Sequence, residues 1–406
     1  MRVLVVSQYY WPENFRITEV VQALREEGCE VLVLTGQPNY PEGVSFAGYS
    51  WWSCATEPHD DVTIFRVPLV PRGRASALRL LANYASFVFS AIVCGSWLLR
   101  GRSIDAIFVF AVSPITQAIP AIWLARLKKA SVITWVQDLW PESLSAVGFV
   151  RNQKILDAVS CLVRWIYRKN DLLLVQSEAF IEPVQAMAGK TPVRYHPNAG
   201  DFAFSCATAE EECPLVFEPG FNIVFAGNLG TVQALDTILE AAELLREDRE
   251  IRLVLVGSGS RGEWLGAEIK RRKLANVVLP GRFALSSMPS IMSSASALLV
   301  SLVRSPIMSK TVPSKVQAYL AAGRPIIAAL DGEGARVILE AAAGVACPAE
   351  DPQALAAAIR SLQTSGPEAL ERMGANARAY YESNFEPRVL ARRLKDFLVS
   401  TRKVAS

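Results

Sequence analysis

Histidine is nearly absent. The chain holds only His59 and His196 among 406 residues, which excludes a histidine-rich metal centre. Cysteine is present but unorganised: Cys29, Cys54, Cys94, Cys161, Cys206, Cys213 and Cys347 lie scattered, with no CxxC pair. Unpaired cysteines in that arrangement suit a reducing compartment and give no zinc-site spacing. Charge of one sign is also missing, since a net charge of +3 is too small to point to nucleic acid. The opening run MRVLVVSQYYW lacks the length and the small-residue cleavage site of a signal peptide. It reads as the first strand of a parallel sheet. No repeat of 20–50 residues is visible.

What is abundant is apolar sequence: 51% hydrophobic residues against 20% charged ones require a folded, core-rich protein. The length is too great for one ordinary core and predicts two domains. In the first half, apolar runs at Val3–Ser7, Val31–Thr35, Thr63–Val67, Ala106–Phe110, Val132–Val136 and Leu172–Gln176 predict strands. Helical patterns at Thr18–Glu27, Thr116–Lys128 and Lys154–Arg168 fall between them. Such alternation means crossover units and a parallel sheet. The acidic, proline-broken stretch Cys206–Gly220 reads as a linker. A second series follows at Asn222–Ala226, Arg252–Val256, Asn276–Leu279, Ala297–Val300, Pro325–Ala329 and Val345–Cys347. The expected organisation is therefore two doubly wound α/β domains, 1–203 and 204–385. The amphipathic stretch 386–400 is free to pack back on the first.

Leu80–Leu99 carries no charge and is flanked by Arg72, Arg74, Arg79, Arg100 and Arg102. Its length matches a bilayer core. Three readings stand: a membrane span, a buried connecting helix, or a helix lying on an anionic membrane surface.

Twin doubly wound domains place ligands beyond the carboxyl ends of their strands, so chemistry is sought in those loops. After the first strand, Pro12, Glu13 and Asn14 break the chain before Arg16 at a helix start; this is either an anion cradle or a plain turn capped by Asn14. After the fifth strand, WVQDLWPES sets Asp138 among Trp135, Trp140 and Pro141. Rings can stack on a sugar while a carboxylate takes its hydroxyls; the competing reading is an N-cap aspartate. In the second half, Gly227, Asn228 and Gly230 form a glycine turn between a strand and a helix. That turn is neither GxGxxG nor GxxxxGK[ST]. Arg282 follows a later strand, and Ser314-Lys315 open a helix, with Gln317 half a turn on. Glycine amides, a helix N-terminus and cations together suit a nucleotide diphosphate, with Gln317 toward a ribose.

These segments together resemble the retaining glycosyltransferases of family four, which have the GT-B fold. The resemblance is carried by QYYWPENFR, LTGQPNYPEG, WVQDLWPES, HPNAGDFAF and VPSKVQAYLAAGRPIIA, and it extends over nearly the whole chain. The nearest similarity is to the WbuB-type subgroup of fucosamine transferases of O-antigen, capsule and colanic-acid synthesis. The resemblance implies transfer from a UDP-sugar with no cofactor and no metal. It also implies a polyprenyl-diphosphate-linked saccharide acceptor and a cytoplasmic protein held peripherally at the inner membrane face. On that basis Asp138, Glu13 and Lys315 are the expected catalytic residues. Asn14, Arg16, Gly227, Asn228, Gly230, Arg282, Ser314, Lys315 and Gln317 are the expected ligand-binding ones. The chain departs from the family in having Asn228 and Gln233 for an arginine and a lysine, Ser309 and Gln317 for two glutamates, and Gln137 for a histidine. Lys315 would then take over the diphosphate charge. A sugar-nucleotide epimerase of the same architecture, or a non-catalytic nucleotide-sugar binder, are the alternatives.

Overall fold

The computed structural model describes residues 1–73, 76–146, 152–200 and 213–403. Arg74, the end of the HPNAGDFAF segment (201–204) and the first part of the expected linker (206–212) lie outside them. The chain divides into two compact units, Met1–Pro197 with Leu390–Ser406, and Asn198–Val389.

The first unit is built on an eight-stranded sheet of order β3-β4-β2-β1-β5-β6-β7-β8. Its members are β1 (Arg2–Val6), β2 (Glu30–Gly36), β3 (Ala55–His59), β4 (Val62–Val67), β5 (Ala106–Ala111), β6 (Ser131–Val136), β7 (Leu172–Val175) and β8 (Val193–Tyr195). β1, β5 and β6 are buried along almost their whole length because helices cover both faces, which is why they read as continuous apolar runs. β3 is the exception to the expected parallel sheet: it runs antiparallel to β4 at the edge. Its half-exposed residues and Pro58 carry no apolar run, and an edge strand tolerates the proline. Helix α1 (Ile17–Glu26) follows β1, α2 (Ala77–Leu98) follows β4, and α3 (Ala118–Lys128) follows β5. Leu394 and Leu398, from the last helix, join the core on the β1–β5 face.

The 22-residue α2 is long and apolar enough to cross a membrane by length and composition. One face is nevertheless buried on this unit through Leu80, Asn83, Phe87, Ser90, Ala91 and Gly95. Asn83 Nδ2 donates to the Val70 carbonyl at 2.6 Å, and Ser90 Oγ to that of Pro68 at 2.6 Å. The polar residues that dilute the run are thus anchors. The opposite face is exposed at Leu78, Leu81, Phe89, Val93 and Trp97.

The second unit holds a six-stranded parallel sheet of order β11-β10-β9-β12-β13-β14. These are β9 (Phe221–Asn228), β10 (Ile251–Ser258), β11 (Val277–Gly281), β12 (Ala297–Ser301), β13 (Ile326–Ala329) and β14 (Gly344–Cys347). Counted within the unit, the order is 3-2-1-4-5-6, the doubly wound arrangement whose switch point lies between the first and fourth strands. Here that point falls between β9 and β12; in the first unit it falls between β1 and β5.

Candidate functional site

The second unit brings four of the expected residues, Gly227, Asn228, Gly230 and Lys315, together at its switch point. Lys315 is the second residue of the Ser314–Ala322 helix, and its Nζ donates to Gln233 Oε1 at 2.5 Å. The ammonium also sits 3.6 Å from the centroid of the Phe225 ring, which belongs to β9. Burial pushes the Lys315 amine down to about 7. Gly227, at φ +129°, makes this approach feasible: a Cβ there would stand 2.9 Å from Lys315 Cε. Asn228 is exposed, and a Cβ on Gly230 would meet its Nδ2 at 2.7 Å. The expected Gly227–Gly230 turn and Lys315 therefore form one corner, with Gln233 as a member that residue types alone did not single out.

Other expected residues lie apart from that corner. Arg282 is exposed beyond β11, the edge strand, two strands from β9; two strand spacings are roughly 10 Å. Ser314 is exposed and makes no side-chain cap. Gln317 is buried and donates through Nε2 to the Asn198 carbonyl at 2.9 Å, while its Oε1 is left without a partner. Its amide thus faces protein backbone rather than solvent. Gly257–Gly262 spells GxGxxG across the end of β10. Its glycines serve backbone approach: a Cβ on Gly257 would lie 1.8 Å from the Gly227 carbonyl oxygen, and one on Gly259 would meet Asn228 Oδ1 at 2.5 Å. Arg261, inside that run, pairs with Asp236 at 2.6 Å and stacks 3.5 Å from the Trp264 centroid. The loops after β9 and β10 are thereby fixed against each other.

In the first unit, Glu13 is buried and its carboxylate is fully engaged. Oε1 accepts from the backbone N–H of Asn39 at 2.8 Å and of Tyr40 at 2.7 Å; Oε2 accepts from Tyr10 N at 3.3 Å. Desolvation outweighs these bonds and pushes the carboxyl up to about 7. Glu13 clasps the loop after β1 to the loop after β2. Asn14 is exposed, and it is Arg16, not Asn14, that occupies the N-cap position of α1.

Asp138 lies just past β6, at the strand end next to the switch point. Its Oδ2 accepts from Ser113 Oγ at 3.0 Å and from Ser113 N at 3.2 Å. The following short helix starts only at Glu142, so Asp138 is not its N-cap. Oδ1 has no hydrogen-bond partner among the described residues. Trp135 packs inward and donates Nε1–H to the His196 carbonyl at 2.8 Å. His196 itself is held neutral, pushed down to about 3 by burial and by Arg393. Among the described residues no three His, Cys, Asp or Glu side chains are grouped to hold a metal ion.

Two family models match in tandem: "Glycosyl transferase 4-like domain" over residues 14–199 and "Glycosyl transferases group 1" over residues 220–365. The chain is 24% identical to WcaI of Escherichia coli, a glycosyl transferase named for colanic acid biosynthesis, over 80% of this chain and 82% of that one. It is 26% identical to WbjE of Pseudomonas aeruginosa, named as a probable glycosyltransferase, over 74% and 76%. Among solved structures, Anabaena HepE in complex with UDP superposes with a TM-score of 0.66 at 14% identity, over 98% of this chain and 100% of that one. The two Rossmann-like sheets and the tandem matches agree: this chain belongs to the group 1 glycosyltransferases of the GT-B class.

Proposed function

We propose that the protein transfers a sugar, with retention at the anomeric carbon, from a UDP-sugar to a polyprenyl-diphosphate-linked saccharide during assembly of a bacterial surface polysaccharide. An amino sugar of the N-acetylfucosamine type is the donor sugar that the WbuB-type resemblance favours. The relatives WcaI and the UDP-bound HepE support the polysaccharide context and the nucleotide. One observation carries the donor side: Lys315, half-buried between Phe225 and Gln233 and against Gly227, with no carboxylate among the described residues to neutralise it. Such a cation has an amide oxygen beside it but, among the described residues, no opposite charge until an anion arrives.

On this reading the Lys315 ammonium and the Gly227–Gly230 amides take up the charge that develops on the departing diphosphate. Fixed donors of this kind contribute about 3 kcal/mol each to the transition state. No metal or cofactor is called on. In the first unit, the free Oδ1 of Asp138 takes the acceptor hydroxyl, with Ser113 holding the other oxygen. Peripheral attachment at the inner membrane face, through the exposed side of α2, brings the lipid-linked acceptor within reach.

The test is an acceptor-dependence assay: purified protein, a panel of UDP-sugars, and lipid extract from a polysaccharide-producing bacterium. Release of UDP only when lipid is present, with label moving into the lipid fraction, is the expected result. Donor turnover without lipid would instead indicate an epimerase or hydrolase, and UDP-sugar binding without any turnover would indicate a sensor.

A further inference from the structure

The first unit contains an arginine that is built in but not paired. Arg66, Arg25 and Arg2 of the same unit each meet a carboxylate, at 2.6, 3.0 and 2.7 Å. Arg72 meets none among the described residues; its guanidinium lies 5.1 Å from the Tyr40 ring centroid and 5.9 Å from that of Tyr9. Glu13 is the carboxylate whose charge reaches the same Tyr9 ring, and its oxygens are spent on the N–H groups of Asn39, Tyr40 and Tyr10.

The position of Arg72 is nevertheless fixed. Its backbone N–H donates to Asn39 Oδ1 at 3.1 Å, and Gly73 N donates to the Gly43 carbonyl at 2.9 Å. Just upstream, Val70 N donates to Ser86 Oγ at 3.0 Å, which ties the same strap to α2. Arg72 also bears on the Tyr84 hydroxyl of α2. It stands beyond the carboxyl end of β4, the side of a doubly wound sheet on which ligands bind. Six residues further on begins the uncovered apolar stripe of α2, where Leu78 is 80%, Phe89 71% and Trp97 69% exposed. A monomeric protein seldom leaves so continuous an apolar stripe bare.

We infer that Arg72 is the diphosphate-binding corner of the acceptor subsite, with the Tyr9 and Tyr40 rings beside it and the α2 stripe accommodating the prenyl chain. The inference deepens the lipid-linked acceptor of the proposed function and rests on it. A guanidinium offers five donors in a fork that matches phosphate oxygens. Here they are prepaid in position by the strap and the rings, so little ordering remains to be done on binding. The arrangement couples an anion site to an apolar run, and a prenyl diphosphate is the ligand that has both.

The experiment compares farnesyl diphosphate, farnesyl monophosphate and farnesol in detergent micelles. Binding is measured for the wild type, Arg72→Gln and Phe89→Asp, with a UDP titration of each protein alongside. Arg72→Gln is expected to lose about tenfold or more in affinity for farnesyl diphosphate, less for the monophosphate and nothing for farnesol. Phe89→Asp is expected to weaken all three alike. UDP affinity stays at the wild-type value in both variants, and an unchanged thermal unfolding curve shows that the first unit, which carries both substitutions, is folded. Unchanged farnesyl diphosphate binding by Arg72→Gln overturns the assignment. So does a parallel loss of UDP affinity, which would make Arg72 part of the nucleotide site or of the fold. A wild type that binds UDP and transfers sugar to lipid extract, yet shows no preference for the diphosphate over farnesol, sinks this inference alone. Failure of the wild type to bind UDP or to transfer at all sinks the proposed function itself.

Discussion

If Lys315 meets the donor diphosphate as proposed, UDP binding depends on pH in a definite direction. Burial lowers its amine to about 7, so in the free protein it is half protonated near neutrality and about nine-tenths neutral one unit higher. A neutral amine still donates to Gln233 Oε1, so the empty site tolerates either form. A bound diphosphate stabilises only the cation and raises the amine's pKa. Binding above pH 7 therefore takes up close to one proton. Affinity for UDP should fall about tenfold per pH unit between 7.5 and 9, where the phosphates of UDP are already ionised. Competing titrations are few, because both histidines lie outside residues 198–389 and burial holds Cys347 up at about 11. Calorimetry in two buffers of different ionisation enthalpy reads the proton uptake directly. Lys315→Arg, charged throughout, should flatten the pH dependence; Lys315→Met should weaken binding at every pH. If wild-type affinity is flat from 7.5 to 9, with no buffer dependence, Lys315 does not meet the diphosphate and the donor-side reading fails.

Three further outcomes are expected. Glu13 has a carboxyl raised from 4.5 to about 7, so the folded state holds its proton longer than the unfolded one. Stability should decline as pH rises from 4.5 to 7, and Glu13→Gln should remove that slope while costing about 1–3 kcal/mol, since a side-chain N–H₂ then opposes backbone donors; chemical denaturation at pH 5 and pH 8 measures both. Gly227→Ala should cost about 1–3 kcal/mol for a Cβ at φ +129° and also weaken UDP binding by displacing Lys315; calorimetry showing wild-type UDP affinity would detach this glycine from the site. Asp138→Asn retains an acceptor for Ser113 but loses the charge on Oδ1, so the transfer rate should fall by about 10²–10⁴-fold with UDP affinity unchanged; full activity would retire Asp138 as a reacting group.

The strands were legible because both sheets are covered on two faces, and a doubly covered strand has to be apolar at consecutive positions. Ile326–Ala329 and Ser131–Val136 are cases in which every residue is buried. β3 and β8 escaped for the complementary reason: one is a half-exposed edge strand and the other is three residues long. Loop chemistry was legible only one loop at a time. The sequence presents Glu13 beside Arg16, yet the partners of its carboxylate are amides 26 and 27 residues away. Asp138 looks like a helix cap because a helix follows it, while its partner is Ser113, brought next to it by the parallel register of β5 and β6. The helical position of Gln317 suggests a side chain open to a ligand, whereas packing turns it toward Asn198.

The same limit explains how a charge can change places without leaving the site. The family resemblance implies a lysine on the first glycine loop, where this chain has Gln233, which taken alone reads as a lost cation. In the folded unit, the amine of Lys315 reaches Gln233 from a position 82 residues later, so a positive charge is restored at that spot from another helix. The route has a consequence. Lys315 must pass over Gly227 and rest on Phe225, and both contacts strip water from the amine. A lysine rooted on the loop itself would keep more of its hydration; one delivered across a phenyl ring is held near its neutral form until an anion binds. On the proposed donor-side reading, relocating the charge would replace a permanent cation with one whose protonation is coupled to the arrival of the diphosphate, and Gly227, Phe225 and Gln233 would be parts of that coupling rather than bystanders.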